Sequence, residues 1–94
     1  MNEYELTFVL DPGLKKNDKD EIQASVEKWI KSLKGKIVSF KDLGLRDLAY
    51  QIQKKDQALY MFFVIAGDTN FDKILHEHVS QDKRIWRYLL VKKS

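Results

Sequence analysis

The feature that most restricts what this chain can become is the way the spacing of its apolar residues changes along it. From Tyr4 to Leu10 apolar and polar positions alternate, with Tyr4, Leu6, Phe8 and Leu10 on one side and Glu5, Thr7 and Val9 on the other, the period of a half-buried strand. Asp11-Pro12-Gly13 breaks it. From about Asn17 to Lys34 the period becomes helical. Ile22, Val26, Trp29, Ile30 and Leu33 form one stripe, acids lie near the start, lysines near the end, and Gly35 is set for a left-handed stop. Strand periodicity then returns twice. Lys36 to about Gln53 reads as a long strand in which Gly44 marks a bulge or bend, and Leu59–Ile65 is the most apolar run of the chain. Lys54-Lys55-Asp56-Gln57 is the polar hairpin connection between them. A second helical stripe, Phe71, Ile74, Leu75, His78 and Val79, spans about 70–81 behind Thr69 and Asp72, which are spaced as a weak capping box. Ile85 to Lys92 alternates again.

The order strand-helix-strand-strand-helix-strand predicts an α+β domain over residues 1–94 of ferredoxin-like β-α-β-β-α-β type. Right-handed crossovers put both helices on one face of a four-stranded antiparallel sheet. If Leu6, Phe8, Met61, Phe63, Tyr88 and Leu90 point at the helices, then Thr7, Val9, Tyr60, Phe62, Val64, Arg87, Leu89 and Val91 lie on the bare face. So many large apolar groups on an uncovered face predict a macromolecular partner.

Catalysis has no visible seat. With no cysteine there is no disulfide, thiol nucleophile or cysteine metal site. His76 and His78 project to different sides of a helix and cannot share a metal, His78 bordering the core and His76 facing water. The serines have no histidine in a motif setting, and the four glycines occur singly, so no loop wraps a phosphate. No cofactor, metal or small-molecule substrate is expected. The longest uncharged stretch, Ala58–Gly67, is far too short for a membrane-spanning helix, and the acidic start does not read as a secretory signal, which points to the cytoplasm.

Charge is polarised. Residues 1–34 carry a net −1 and residues 35–94 a net +4. The last twelve hold Lys83, Arg84, Arg87, Lys92 and Lys93 without an acid, which fits either phosphate contacts or a solvated basic end. An RNA-recognition motif would add stacking rings on the two central strands. Tyr60 and Phe62 answer to that on the third strand, but the Arg/Lys-Gly entry is missing, and Thr7 and Val9 stand where a ring belongs on the first. Tyr60 and Phe62 are therefore read, with Leu89 and Val91, as packing across the sheet or under a partner protein.

Gly44-Leu45-Arg46-Asp47-Leu48-Ala49-Tyr50-Gln51-Ile52 resembles the Gly-Leu-Arg-Arg-Leu-Ala-Tyr-Pro-Ile signature of the bacterial ribosomal protein S-six family. Tyr4-Glu5, Asp11-Pro12 and Val91-Lys92 extend the likeness over the whole chain. The resemblance implies a non-enzymatic protein of the small (30S) ribosomal subunit that binds 16S ribosomal RNA as a heterodimer with ribosomal protein S-eighteen. Carried over by position, it implies RNA contacts by Arg46, Lys54, Lys55, Arg87 and Lys92, of the kind that position without reading sequence. The chain departs from the signature at Asp47, which replaces an arginine, and at Gln51, which replaces a proline and regains a backbone donor. It ends at Ser94, so contacts by a longer tail are not expected. Two other readings are a free-standing RNA-binding module of the same fold and an acylphosphatase-like domain, the latter lacking its phosphate cradle.

Overall fold

Residues 2–93 are described by the computed structural model. The elements are β1 (Asn2–Leu10), α1 (Lys16–Ser32), β2 (Lys36–Ile52), β3 (Lys55–Gly67), α2 (Asp72–Val79) and β4 (Ile85–Lys92). All strand pairs are antiparallel, in the order β2-β3-β1-β4, which leaves β2 and β4 as the edges. Leu6 stands between Phe63 and Leu90, and Phe8 between Met61 and Tyr88, so the apolar sides of the strands are in register. That face meets Ile22, Val26 and Ile30 of α1 and Phe71, Leu75 and Val79 on and beside α2 in one core. Each of these strand and helix periods places its apolar residues on the same layer, and the ferredoxin-like arrangement follows.

The ends of the helices differ from expectation. At the end of α1 the left-handed residue is Lys34 (φ 61°), not Gly35. The Lys34 N–H donates to the Lys31 carbonyl at 2.9 Å and the Gly35 N–H to the Ile30 carbonyl at 2.9 Å, the paired bonds of a Schellman stop. Gly35 is needed for space instead: a Cβ there would stand 2.8 Å from Ile30 Cγ2 and 2.9 Å from the Ala66 carbonyl oxygen. α2 is shorter than expected, and Thr69 does not cap it. Its hydroxyl donates to the Leu33 carbonyl (3.4 Å), while the Asn70 side chain accepts the Asp72 N–H (3.0 Å). The residue ahead of the helix is Phe71, whose ring is buried against Tyr4 edge-on at 5.7 Å. The start of α2 is thus marked by the Asn70 bond to its first N–H and by the buried Phe71 ring, which itself offers no side-chain acceptor.

Gly44 lies in a bulge with φ 73°, as its place in a strand predicts. The hairpin connection is tighter than the four-residue stretch read from polarity. Only Gln53 and Lys54 turn, both with positive φ, which is the two-residue geometry that suits strand twist, and Lys55 already pairs with Ile52. Polarity could not separate turn from strand here because Lys55, Asp56 and Gln57 form an exposed part of β3 that extends past the core.

Candidate nucleic-acid interface

On the face away from the helices the register sets Lys41, Phe62, Thr7 and Leu89 in one row and Gly44, Tyr60, Val9 and Arg87 in the next. This face is less bare than expected. Thr7, Val9, Tyr60 and Phe62 are half-buried and Val64 is buried, while Leu89 (62% exposed) and Val91 (45%) on edge strand β4 stand open. Neighbouring strands shield one another's side chains at the centre of a sheet, so exposed apolar area collects at the edge.

Part of the covering comes from the end of β2. Between the Asp47–Gln57 and Ile52–Lys55 pairs, Leu48 to Gln51 oppose Asp56 alone, so regular pairing lapses and the strand bends. Gln51 Nε2 donates to Asp56 Oδ1 (2.8 Å) and Gln57 Nε2 to Asp47 Oδ1 (2.9 Å), which ties the two limbs of this arm together. A cleft of about 400 Å³ lies between Leu48–Ile52 and the sheet residues Val9, Tyr60 and Arg87. A larger hollow, about 710 Å³, is lined by Gln53 of the turn together with His76, Asp82, Lys83 and Trp86.

The basic residues sort into two groups. Arg84 is used internally: its guanidinium grips Asp82 through Nε (3.0 Å) and Nη2 (2.9 Å), and its Nη1 reaches Glu21 of α1 at 2.8 Å. Those hydrogen bonds hold the Asp82 carboxyl below the usual carboxylate range, against the opposing effect of burial, and raise the already high value of Arg84. Lys93 lies 3.6 Å from Glu3 and Lys19 2.8 Å from Asp42, whose carboxyl the Lys19 hydrogen bond likewise lowers. Arg84 and Lys93, two of the five basic residues of the chain end, therefore serve the fold.

Arg46, Lys54, Lys55, Arg87 and Lys92 are exposed and enter none of the ion pairs found among the described residues. Arg46 donates from Nε to the Leu43 carbonyl (3.0 Å), which aims its guanidinium from the bulge. Lys54 and Lys55 lie at the tip of the arm and Arg87 in the cleft beneath it, while Arg46 precedes the arm on edge strand β2, opposite Ala58. Lys92 stands apart. It pairs with Tyr4 at the far end of β4, five residues from Arg87 or about 17 Å, and on the helix-side parity of the strand. The four apolar partner-face residues split in a similar way, Leu89 and Val91 at the exposed edge and Tyr60 and Phe62 half-buried inside it. Sequence reading passed over Tyr50, which is 85% exposed beside Arg87 in the cleft; its place after Leu48 and Ala49 in a strand-like run gave no sign that the run bends.

Tyr88 joins β4 to α2. Its hydroxyl donates to Asp72 Oδ1 at 2.8 Å, and burial, aided by that bond, pushes its pKa up to about 12. His78 stacks flat on Trp29 at 4.6 Å (9° between planes) and His76 is exposed, as their helical positions predict. Among the described residues no three His, Asp or Glu side chains converge as metal ligands.

The sequence profile of the family described as Ribosomal protein S6 matches residues 3–92. The small ribosomal subunit protein bS6 of Syntrophobacter fumaroxidans is 33% identical over 98% of this chain, and that of Christiangramia forsetii is 34% identical over 98%. The chain spans 63% of the first relative's length and 82% of the second's. The crystal structure of 30S ribosomal protein S6 from Thermotoga maritima superposes with a TM-score of 0.88, covering 98% of this chain and 87% of that one at 24% identity, a likeness of fold. With a profile that runs almost from end to end and relatives a third identical along their shared length, the chain belongs to the ribosomal protein S6 family of structural, non-enzymatic proteins of the small ribosomal subunit.

Proposed function

We propose that the chain binds 16S ribosomal RNA in the cytoplasmic 30S particle and does so beside ribosomal protein S-eighteen, as a heterodimer. The observation that carries this reading is the division of labour among its cations: Arg84 and Lys93 are paired within the fold, whereas Arg46, Lys54, Lys55 and Arg87 are exposed and enter no ion pair among the described residues, with Lys54 and Lys55 at the tip of the arm and Arg87 in the cleft beneath it. Unpaired guanidinium and ammonium groups at a rigid surface suit phosphate and sugar contacts that set orientation. Lys92 supplies a separate contact from the opposite end. Phe62, Leu89 and Val91 form the face for the protein partner, with the exposed edge of β4 as its rim and Tyr60 at its border with the arm cleft.

The test is assembly on small-subunit RNA, with S-eighteen present, at a series of salt concentrations. Five phosphate contacts give a slope of about −4 in log affinity against log salt. A flat dependence would remove the charge-led interface, and a chain that stays in the soluble pool at low salt while 30S particles sediment would remove the ribosomal reading.

A further inference from the structure

We propose that the cleft between the bent end of β2 and the open sheet face receives one unpaired nucleotide of RNA, its base against the rings of Tyr50 and Tyr60 and its phosphate on Arg87. The inference rests on the RNA-binding reading above and names where a base, as opposed to a backbone, is held. Its volume, about 400 Å³, is in the range of small-ligand clefts. The walls carry two phenol rings, a guanidinium and the Gln51 carboxamide around an apolar floor of Val9 and Leu48. Aromatic faces and arginine planes are what unstacked RNA bases settle on, with amides available to their edges.

Three observations favour a nucleotide over an apolar protein side chain. Tyr50 is 85% exposed on an arm whose limbs are cross-tied, so a large ring is presented in a fixed place without a packing partner. The cations of the arm, Lys54 and Lys55, are exposed and Arg87 lines the cleft itself. Asp47 and Asp56 keep their negative charge, since their partners Gln57 and Gln51 are neutral amides, but Lys54, Lys55 and Arg87 outnumber them.

The experiment has two arms, both with the full chain. In reconstituted small subunits, ultraviolet cross-linking is mapped by residue and by nucleotide, and Tyr50→Ala and Tyr50→Phe are compared with the parent in competition for the particle. Separately, the free chain is titrated with a ten-nucleotide oligouridine and with an RNA duplex of the same length. The expected result is a cross-link from Tyr50 or Tyr60 to an unpaired nucleotide. Tyr50→Ala should also lose roughly tenfold in single-strand affinity, while Tyr50→Phe keeps it and duplex binding is unmoved. A cross-link from Tyr50 to a protein side chain, equal loss in Tyr50→Ala and Tyr50→Phe, or Tyr50→Ala binding the oligouridine as the parent does would overturn the cleft, as would a parent chain that binds no oligouridine and forms no cross-link. Failure of the parent to enter the particle, with oligouridine binding still dependent on Tyr50, would overturn the ribosomal reading and leave the cleft standing.

Discussion

Lys34 holds a conformation that a side chain disfavours. The Schellman stop of α1 needs a left-handed residue, and the chain offers its glycine one position later, where the close approach of Ile30, Phe71 and the Ala66 carbonyl leaves no room for a Cβ. Two demands compete for one glycine, and packing takes it. An L-residue in the left-handed region costs roughly 1–2 kcal/mol. Glycine returns part of that through its looser unfolded chain, so Lys34→Gly is expected to raise stability by about 0.5–1 kcal/mol. Gly35→Ala should lower it by about 1–3 kcal/mol, because the nearest obstacle includes backbone that cannot swing aside. Chemical denaturation of the two variants checks both signs. Neighbouring positions, one stabilised by glycine and one intolerant of alanine, could not be told apart from sequence, since both requirements read simply as a glycine after a helix.

At the level of elements, a single arginine braces three segments. Arg84, at the entrance of β4, clamps Asp82 of the α2–β4 connection and reaches Glu21 on α1, so the strand's start is tied to the far helix. Asp82 and Asp42 both titrate below the ordinary carboxylate value of 3.8 in the fold. A carboxyl with a lowered folded value adds stability that is complete above its unfolded value and is lost as the pH falls through the folded one. The stability gap between the parent and Asp82→Asn is therefore expected to hold at about pH 6 and to shrink as the pH drops below about 4 toward the lowered value. Unfolding curves across that range would measure it, and a gap that does not change with pH would mean that Arg84 braces through geometry alone. The acid-free chain end suggested phosphate contacts for Arg84. One partner, Asp82, lies only two positions back, but the bond that ties the strand to α1 goes to Glu21, 63 positions away, and no local pattern announces that one.

For the whole molecule, the useful contrast is between Arg87 and Lys92. They lie on one strand and look alike in sequence, yet the pleat and the length of β4 set them on different faces and about 17 Å apart. Both are exposed and in no ion pair among the described residues, so Arg87→Ala and Lys92→Ala should leave the unfolding midpoint nearly unchanged while each lowers the salt slope of RNA assembly by about 1. Their effects should add, as they do for separated sites. A double variant no worse than Arg87→Ala would mean that Lys92 does not touch RNA.

The succession of hydrophobic periods was enough to specify six elements and the side of β1, β3 and β4 that faces the helices, and the handedness of the crossovers then implied the antiparallel sheet. Those features follow from side-chain spacing along a local backbone, and local spacing is what a sequence records. The sheltering of Tyr60 and Phe62, the bend that carries Tyr50 over Arg87, and the reach of Arg84 to Glu21 were decided only when distant segments met. Each depends on which groups come within a few ångströms across the sheet, and chain order does not encode that distance.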